Sequence, residues 1–504
     1  MSHFMVVTSM MPLVAGVAAF TKGDLDIGHK RMALLFSVAF PSTVYALSAA
    51  AIYANSFPAF VVSYGVLGGL GFFCGYPQLP PFLSSKWFPD RPGLALGIYF
   101  SAFGMSVPLI RPVLQEVLAH YREPPVRLGG LEEISVTLGE HGETLAMVDG
   151  RLSEVVKATA TDLVRTGFSG LEEGVFVIGT GSNGVCETMV VMGGGIFAML
   201  QLAAWSYRLP QEGWQPVKAK EKKEVVVVAA EDLTSTRDVT VSEAKATPTF
   251  FLLLAGSTGV CMTGLPFLQM QSLLVNDMFG SALGQQTTVA VATTATLLGV
   301  ASAGGRLAWG PISDQIGCSN TTMLFGASVG TILLTPYATS LIASDPSTAL
   351  LLFQTSAFLS VAIFGGMPVL LAPAAAEVFG KTHSPAIYKA LWLSVPTANL
   401  LGTAVMTKGR ESAAYDAVTQ LATNISDSAF LDAFGGPKSE LDTLIANKTI
   451  TIPTLLKLSP PGTPDPTPFL YNEMFQYMAG ASALALLCNV AAFKLPTSGR
   501  KSAS

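Results

Sequence analysis

Charge is what this chain has least of. Of its 504 residues only 12% are Asp, Glu, Lys or Arg, against 50% apolar ones, and the mean hydropathy is +0.49. A soluble domain carries about twice that share of charge, so composition excludes the soluble enzymes. Cysteine is scarce as well. Cys74, Cys186, Cys261, Cys318 and Cys488 lie far apart, and their spacing builds neither a disulfide framework nor a metal site. Net charge is −5 and the pI near 5.6, which argues against nucleic acid as a partner. A nucleophile elbow, a phosphate-binding loop and a metal-ligand spacing are all missing, so an enzyme is not expected and no cofactor is implied.

Long apolar runs are abundant instead. Stretches able to cross the roughly 30 Å hydrocarbon core are read at 3–20, 32–52, 57–83, 92–112, 188–207, 247–274, 284–304, 320–343, 348–376, 385–407 and 473–494, eleven in all. The first has no basic n-region and no small-x-small cleavage site, so it is read as a retained span rather than a signal peptide. Orientation follows from Lys and Arg in short loops. If 21–31 is cytoplasmic, the short inside segments carry eleven basic residues and the short outside loops, 53–56, 275–283 and 344–347, carry none. The long loop 119–186 then faces outside with 10 acidic and 5 basic residues, as does 408–472 with the sequons at Asn424 and Asn447. A third sequon, at Asn320, falls on the inner face. The segment Ser153 to Phe168 reads as a surface helix.

Residues 208–246, with KAKEKKEVVVVAAEDL and nearly balanced charge, read as a cytoplasmic linker between an N-terminal bundle of five spans (1–207) and a C-terminal bundle of six (247–495), followed by a tail at 496–504. The halves echo each other. Gly75-x-Pro77 stands eleven residues before Phe88 and its following helix, which opens at Pro92; Gly366-x-Pro368 stands eleven before Phe379 and a helix opening at Pro385. Proline is the favoured first helical residue. Parallel repeats are a transporter build, yet the first half is one leading helix short.

Between the seventh and eighth spans lies GGRLAWGPISDQIG, residues 304–317. Glycines there permit a tight turn at the membrane face, and Arg306 and Asp314 supply charges for fixing helix ends. This loop resembles the signature of the major facilitator superfamily of secondary transporters. With KWFPDRPGLALGIYFSAFG (86–104) and FGKTHSPAIYKAL (379–391), it looks like the oxalate/formate antiporter and monocarboxylate transporter branch. The resemblance implies an all-α polytopic membrane protein with two six-helix bundles, a midplane substrate site and alternating access. Eleven spans are visible, with the first of the twelve missing. By resemblance, Gly305, Arg306, Gly310, Asp314 and Gly317, with Asp90 and Arg91 in the matching first-half loop, govern conformation, and Asp314 contacts the exposed N–H groups where the helix opening at Pro92 begins. Asp26, in a shortened KGDLDIGHKR, would be the remaining partner.

That branch typically fixes a carboxylate with an intramembrane cation. Arg111 is the one basic residue inside a first-half apolar run, but it stands 19 residues beyond Pro92, about 28 Å along a helix, and can snorkel to the outer interface. In the second half Lys389 opens the tenth span at its edge, and no cation is read at mid-span, which leaves the carboxylate in question. Neutral candidates remain: Trp392, Asn399 and Thr403 on one face of the tenth span, Thr293 and Thr294, and Gln269 and Gln271. Pro396 should free the Trp392 carbonyl, and Pro108 that of Gly104. The plain alternative is that both prolines only kink packed helices, and that Asn399 bonds to a neighbouring helix. The expected function is transport of a small organic solute, a mono- or dicarboxylate, by a monomer in the lipid bilayer of the plasma membrane or an endomembrane. The alternatives are a neutral or zwitterionic metabolite, and a transport-dead receptor or scaffold of the same fold.

Overall fold

The computed structural model describes the chain outside residues 1, 23–27, 81–82, 131–132, 135, 139–143, 149–150, 159–162, 164–167, 169–170, 212–238, 447–449, 461 and 496–504. Asp26, Asn447 and most of the linker therefore lie outside the described residues. Each of the eleven apolar stretches contains a helix, though in the one read at 57–83 the helix that opens at Phe57 ends at Phe73. Among the described residues eight runs are long and apolar enough to cross a membrane; one of them, Pro248–Ile316, holds two helices, and Ser9–Lys22 and Phe57–Phe73 are shorter apolar helices. The protein is an integral, multi-pass membrane protein.

The chain opens with α1 (Ser2–Lys22). α2 (His29–Pro41) continues through a π-helical turn into α3 (Ser48–Tyr53). α4 (Phe57–Phe60) does the same into α5 (Gly68–Phe73), and α6 (Pro92–His120) and α7 (Val185–Ser206) complete the first half. A short linker helix, α8 (Val241–Lys245), precedes α9 (Pro248–Leu283) and α10 (Thr287–Ile316). Then come α11 (Cys318–Leu324), α12 (Ser328–Leu341), α13 (Pro346–Phe379), α14 (Ser384–Leu391) and α15 (Ser394–Thr423). Short helices α16 (Asp427–Phe434), α17 (Leu441–Ala446) and α18 (Ile452–Leu458) lead to α19 (Asn472–Lys494).

Local chemistry sets these boundaries. Thr247 caps α9 by accepting from the Phe250 N–H, with Pro248 at the first helical position, and Asp345 does the same for α13 ahead of Pro346. Such caps satisfy N–H groups that have no partner inside the helix. Hydroxyl and backbone donors of Ser347 and Thr348 hold the exposed Asp345 carboxyl down to about 2. α10 and α13 both stop at a glycine with positive φ, Gly317 at 84° and Gly380 at 91°, where a side chain would be strained.

The described chain divides into two compact units. The first comprises Met1–Phe36, Gly69–Val107 and Trp205–Ser504; the second comprises Ser37–Gly68 and Pro108–Ala204. In the first unit one apolar cluster centres on Phe267, Phe279, Phe353 and Phe475, and another on Phe100, Phe250, Phe364 and Trp392. The second unit holds a five-stranded antiparallel sheet, β1 (Arg127–Gly129), β2 (Thr137–Leu138), β3 (Thr144–Val148), β4 (Arg151–Ala158) and β5 (Gly174–Val177), in the order β1-β5-β4-β3-β2. Its core is Ala146, Val155 and Val175.

Three expectations need correcting. The 119–186 loop carries a sheet, and the segment expected to be a helix from Ser153 begins as strand β4, which runs to Ala158 and pairs with β3 and β5. The 408–472 loop is largely helical, since α15 runs sixteen residues past 407 to Thr423 before the short helices follow. The paired Gly-x-Pro signals also differ in outcome. α5 ends at Phe73 and Gly75 lies in a turn against the Phe36 ring, whereas Gly366 and Pro368 sit inside the continuous α13.

Candidate functional site

α6 and α10 meet along a seam of small residues. A Cβ on Gly93 would stand 2.4 Å from the Gly310 carbonyl oxygen, one on Gly97 would stand 2.7 Å from the Arg306 carbonyl oxygen, and one on Gly104 would stand 2.9 Å from Ala303. Only residues without a side chain let two backbones approach so closely. Between them Ser101 Oγ donates to the Ala303 carbonyl at 2.8 Å. At the end of the seam the Asp314 carboxylate accepts from the backbone N–H groups of Gly93 and Leu94, both at 2.9 Å. These are unsatisfied donors in the first turn of α6, so the carboxylate caps a helix that is not its own. Asp90 and Arg91 are exposed beside it, and Gly305 packs on the Ala362 backbone of α13.

The apolar run stops at Gly304, which predicts a loop around Arg306; α10 instead continues to Ile316 and carries Arg306 inside the helix, 3% exposed. Its Nη1 donates to the Phe100 carbonyl at 3.2 Å. Its guanidinium lies 5.4 Å from the Phe103 ring centre and 5.8 Å from that of Phe364. Nε has no acceptor, and no ion pair to Arg306 occurs among the described residues. Next to it Tyr76 packs against Phe100, Phe103 and Trp392. Tyr388 Oη and Trp392 Nε1, both in buried residues, likewise lack partners. A guanidinium taken out of water without a counter-charge is costly, and buried donors without acceptors are uncommon.

The neutral candidates separate into several places. Gln269 Nε2 of α9 donates to the Asn399 side-chain oxygen of α15, and Gln269 Oε1 accepts from Thr403 Oγ1 at 2.9 Å. Asn399 and Thr403 are each 4% exposed. Asn399 thus does bond to a neighbouring helix. Trp392 belongs to the aromatic group around Tyr76. Its carbonyl is not free, because α14 ends at Leu391 and a tight turn lets the Val395 N–H donate to it at 3.1 Å. The Pro396 ring packs on Gly16 of α1, while Pro108 sits in an unbroken α6. Gln354 donates to Thr294 at 3.0 Å, Thr293 is exposed and bonds back to its own helix, and Gln271 Oε1 has no partner. Arg111 is exposed in the second unit, and Asn424 is exposed at the end of α15.

Among solved structures the chain is similar to the major facilitator superfamily proton:xylose symporter XylE bound to 6-bromo-6-deoxy-D-glucose. Identity is 12% and the TM-score 0.50, over 97% of this chain and 86% of that one. The chain has the major facilitator fold. Lower scores are found for the superfamily transporter FucP in its outward conformation, at 11% identity and 0.47 over 97% and 89%, and for a bacterial homologue of the human lysosomal transporter Spinster, inward-facing and occupied, at 15% and 0.45 over 97% and 94%. No protein-family model and no curated protein matches the sequence. Within the major facilitator fold, then, likeness fixes architecture, and the solute has to be argued from side chains.

Proposed function

We propose that the protein is a transporter that moves a small organic anion, a carboxylate, across the membrane by alternating access, with Arg306 as the charge that receives it. The observation that carries this reading is a buried guanidinium with, among the described residues, no partner for its Nε–H and no acid in ion-pair contact. Arg presents five N–H donors in a planar fork matched to a carboxylate, and among the described residues the Phe100 carbonyl accepts from one of them. An anion would supply the missing counter-charge and accept from the remaining donors. The Phe103 and Phe364 rings beside the guanidinium suit an apolar body. The likeness of residues 86–104, 304–317 and 379–391 to the oxalate/formate and monocarboxylate branch points the same way.

A second reading has one observation of its own. The Gln269–Asn399–Thr403 group offers amide and hydroxyl functions between α9 and α15, chemistry for a neutral or zwitterionic solute. We favour the anion because that group already satisfies itself, whereas Arg306 does not. The experiment is uptake into proteoliposomes of a graded panel, acetate, pyruvate, benzoate, succinate, alanine and glucose, by wild type and Arg306→Gln. Uptake of one or more carboxylates that is lost in Arg306→Gln supports the reading. Uptake of a neutral solute that survives the substitution would replace it with the second.

A further inference from the structure

We propose that the groove between α3 and α7 binds an amphiphile with a single apolar chain and a protonated amine head, taken from the adjoining leaflet of the bilayer. The site lies wholly within the second compact unit and does not depend on which solute is carried. Two cavities of about 560 Å³ each lie where the ends of α3, α6 and α7 come together, and Tyr121 and Val191 line both. That volume falls within the roughly 300–1,000 Å³ of small-molecule sites. The cavity beside α3 is graded in polarity. α3 ends at Tyr53 and α7 begins at Val185, on the membrane face that the basic loops mark as outside. Ala46, Ala50 and Val190 therefore lie deep in it, whereas Tyr53, Cys186 and Glu187 stand at its rim. An amphiphile has the same gradient, with its chain among the alanines and valines and its head at the rim.

The charge of the rim selects the head. No Lys or Arg lines either cavity, while Glu187 lines the first and Glu116 the second, on the other side of Tyr121. Neither carboxylate has an ion-pair partner among the described residues. A phosphate or carboxylate head would meet like charge there, in surroundings of lower dielectric than water. An ammonium meets a counter-charge and the rings of Tyr53 and Tyr121, which attract cations. A groove that merely faced lipid would take any acyl chain whatever its head, so preference for a cation is what distinguishes a site from bare surface.

The test uses the purified full-length protein in nanodiscs of zwitterionic lipid, with dimethyldodecylamine, dodecanol and dodecanoate as probes of equal chain and different head. Cys186 lines the cavity and its thiol donates to the Ala49 carbonyl at 3.1 Å. Its alkylation by N-ethylmaleimide, followed on the peptide by mass spectrometry, reports whether the cavity is filled; Cys488 of α19, also partly exposed, is the internal reference. At about ten times its Kd the amine should slow labelling of Cys186 roughly tenfold while Cys488 is unmoved. Dodecanol should need about fivefold more probe for the same protection, and dodecanoate should give none. Glu187→Gln should bring the amine down to the level of dodecanol, each variant being compared with itself without probe. Ala50→Phe, at an exposed position that lines the chain end of the cavity, should abolish protection by both. Three results would each overturn the proposal: no protection by the amine, equal protection by all three heads, or protection that survives Ala50→Phe. Slowing of Cys488 to the same extent would do so too, as a general effect on the bilayer. None of these results touches the Arg306 reading, which the uptake panel tests separately.

Discussion

Arg306 and Arg410 are two arginines of the same half with opposite surroundings. Arg410 of α15 donates from Nε to Asp277 of α9 at 2.6 Å, and the same carboxylate oxygen accepts from Tyr471 Oη at 2.7 Å. Its charge is answered by an acid, and the group ties α9, α15 and the start of α19 together. Arg306 is more deeply buried and has a carbonyl, two ring faces and no acid. The difference separates two uses of a polar group in a membrane. One that is satisfied from within the chain is a fastener, and one that is left short is, on the function proposed above, a place for something from outside. The Gln269–Asn399–Thr403 group stands with Arg410 in this respect.

The comparison can be broken at either end. The largest effect is expected for Arg306→Gln. Losing a charge-assisted contact to a desolvated carboxylate costs about 2–3 kcal/mol, so the half-saturation concentration should rise on the order of 100-fold while the yield of folded protein holds. Arg410→Gln should do the reverse. It strands Asp277, which at a fully buried pair costs about 3–5 kcal/mol; with both side chains partly exposed, a loss of about 2 kcal/mol is expected, seen as a lower melting temperature with substrate affinity unchanged in what folds. Should the two variants behave alike, the distinction between fastener and site falls.

The seam comes next in size. Gly93→Ala sets a methyl against the Gly310 carbonyl and the Asp314 carboxylate, and overpacking of that kind costs about 1–3 kcal/mol. A rise in maleimide labelling of a thiol placed in the seam by Ser101→Cys would report it. Asp314→Asn removes a carboxylate from the α6 terminus, worth about 0.3–1 kcal/mol and up to about 2 when partly buried; turnover should fall several-fold with surface expression retained, and unchanged turnover would make the loop a mere turn. The smallest functional effect is expected for Asn399→Ala. Breaking its bond to Gln269 should lower stability by about 1–3 kcal/mol and leave the half-saturation concentration alone. A tenfold rise instead would move Asn399 into the site.

These expectations show which features were legible in sequence. Twenty-residue apolar runs are dictated by bilayer thickness, so the positions of all eleven helical stretches could be read directly. The Asp314 contact was expected through resemblance, which supplied the partner helix that spacing alone could not. Arg306 reads as a loop residue in the sequence because hydropathy marks where apolar residues stop, not where a helix stops. Ala308, Trp309 and Ile312 continue the helix past the charge, and Gly317 was the better stop signal. The Trp392 carbonyl was misjudged because removing one helical bond does not orphan an acceptor when the chain can turn there. The sheet was hidden by strands of two to eight residues, and β4, RLSEVVKA, has no clean alternation of polar and apolar residues to mark it.

The most direct test of the central claim is equilibrium binding of pyruvate and benzoate to purified wild type, Arg306→Gln and Arg410→Gln, with the melting temperature of each measured in the same samples. We expect Arg306→Gln to lose binding at an unchanged melting temperature, and Arg410→Gln to keep binding at a lowered one. Binding retained in Arg306→Gln would contradict the account.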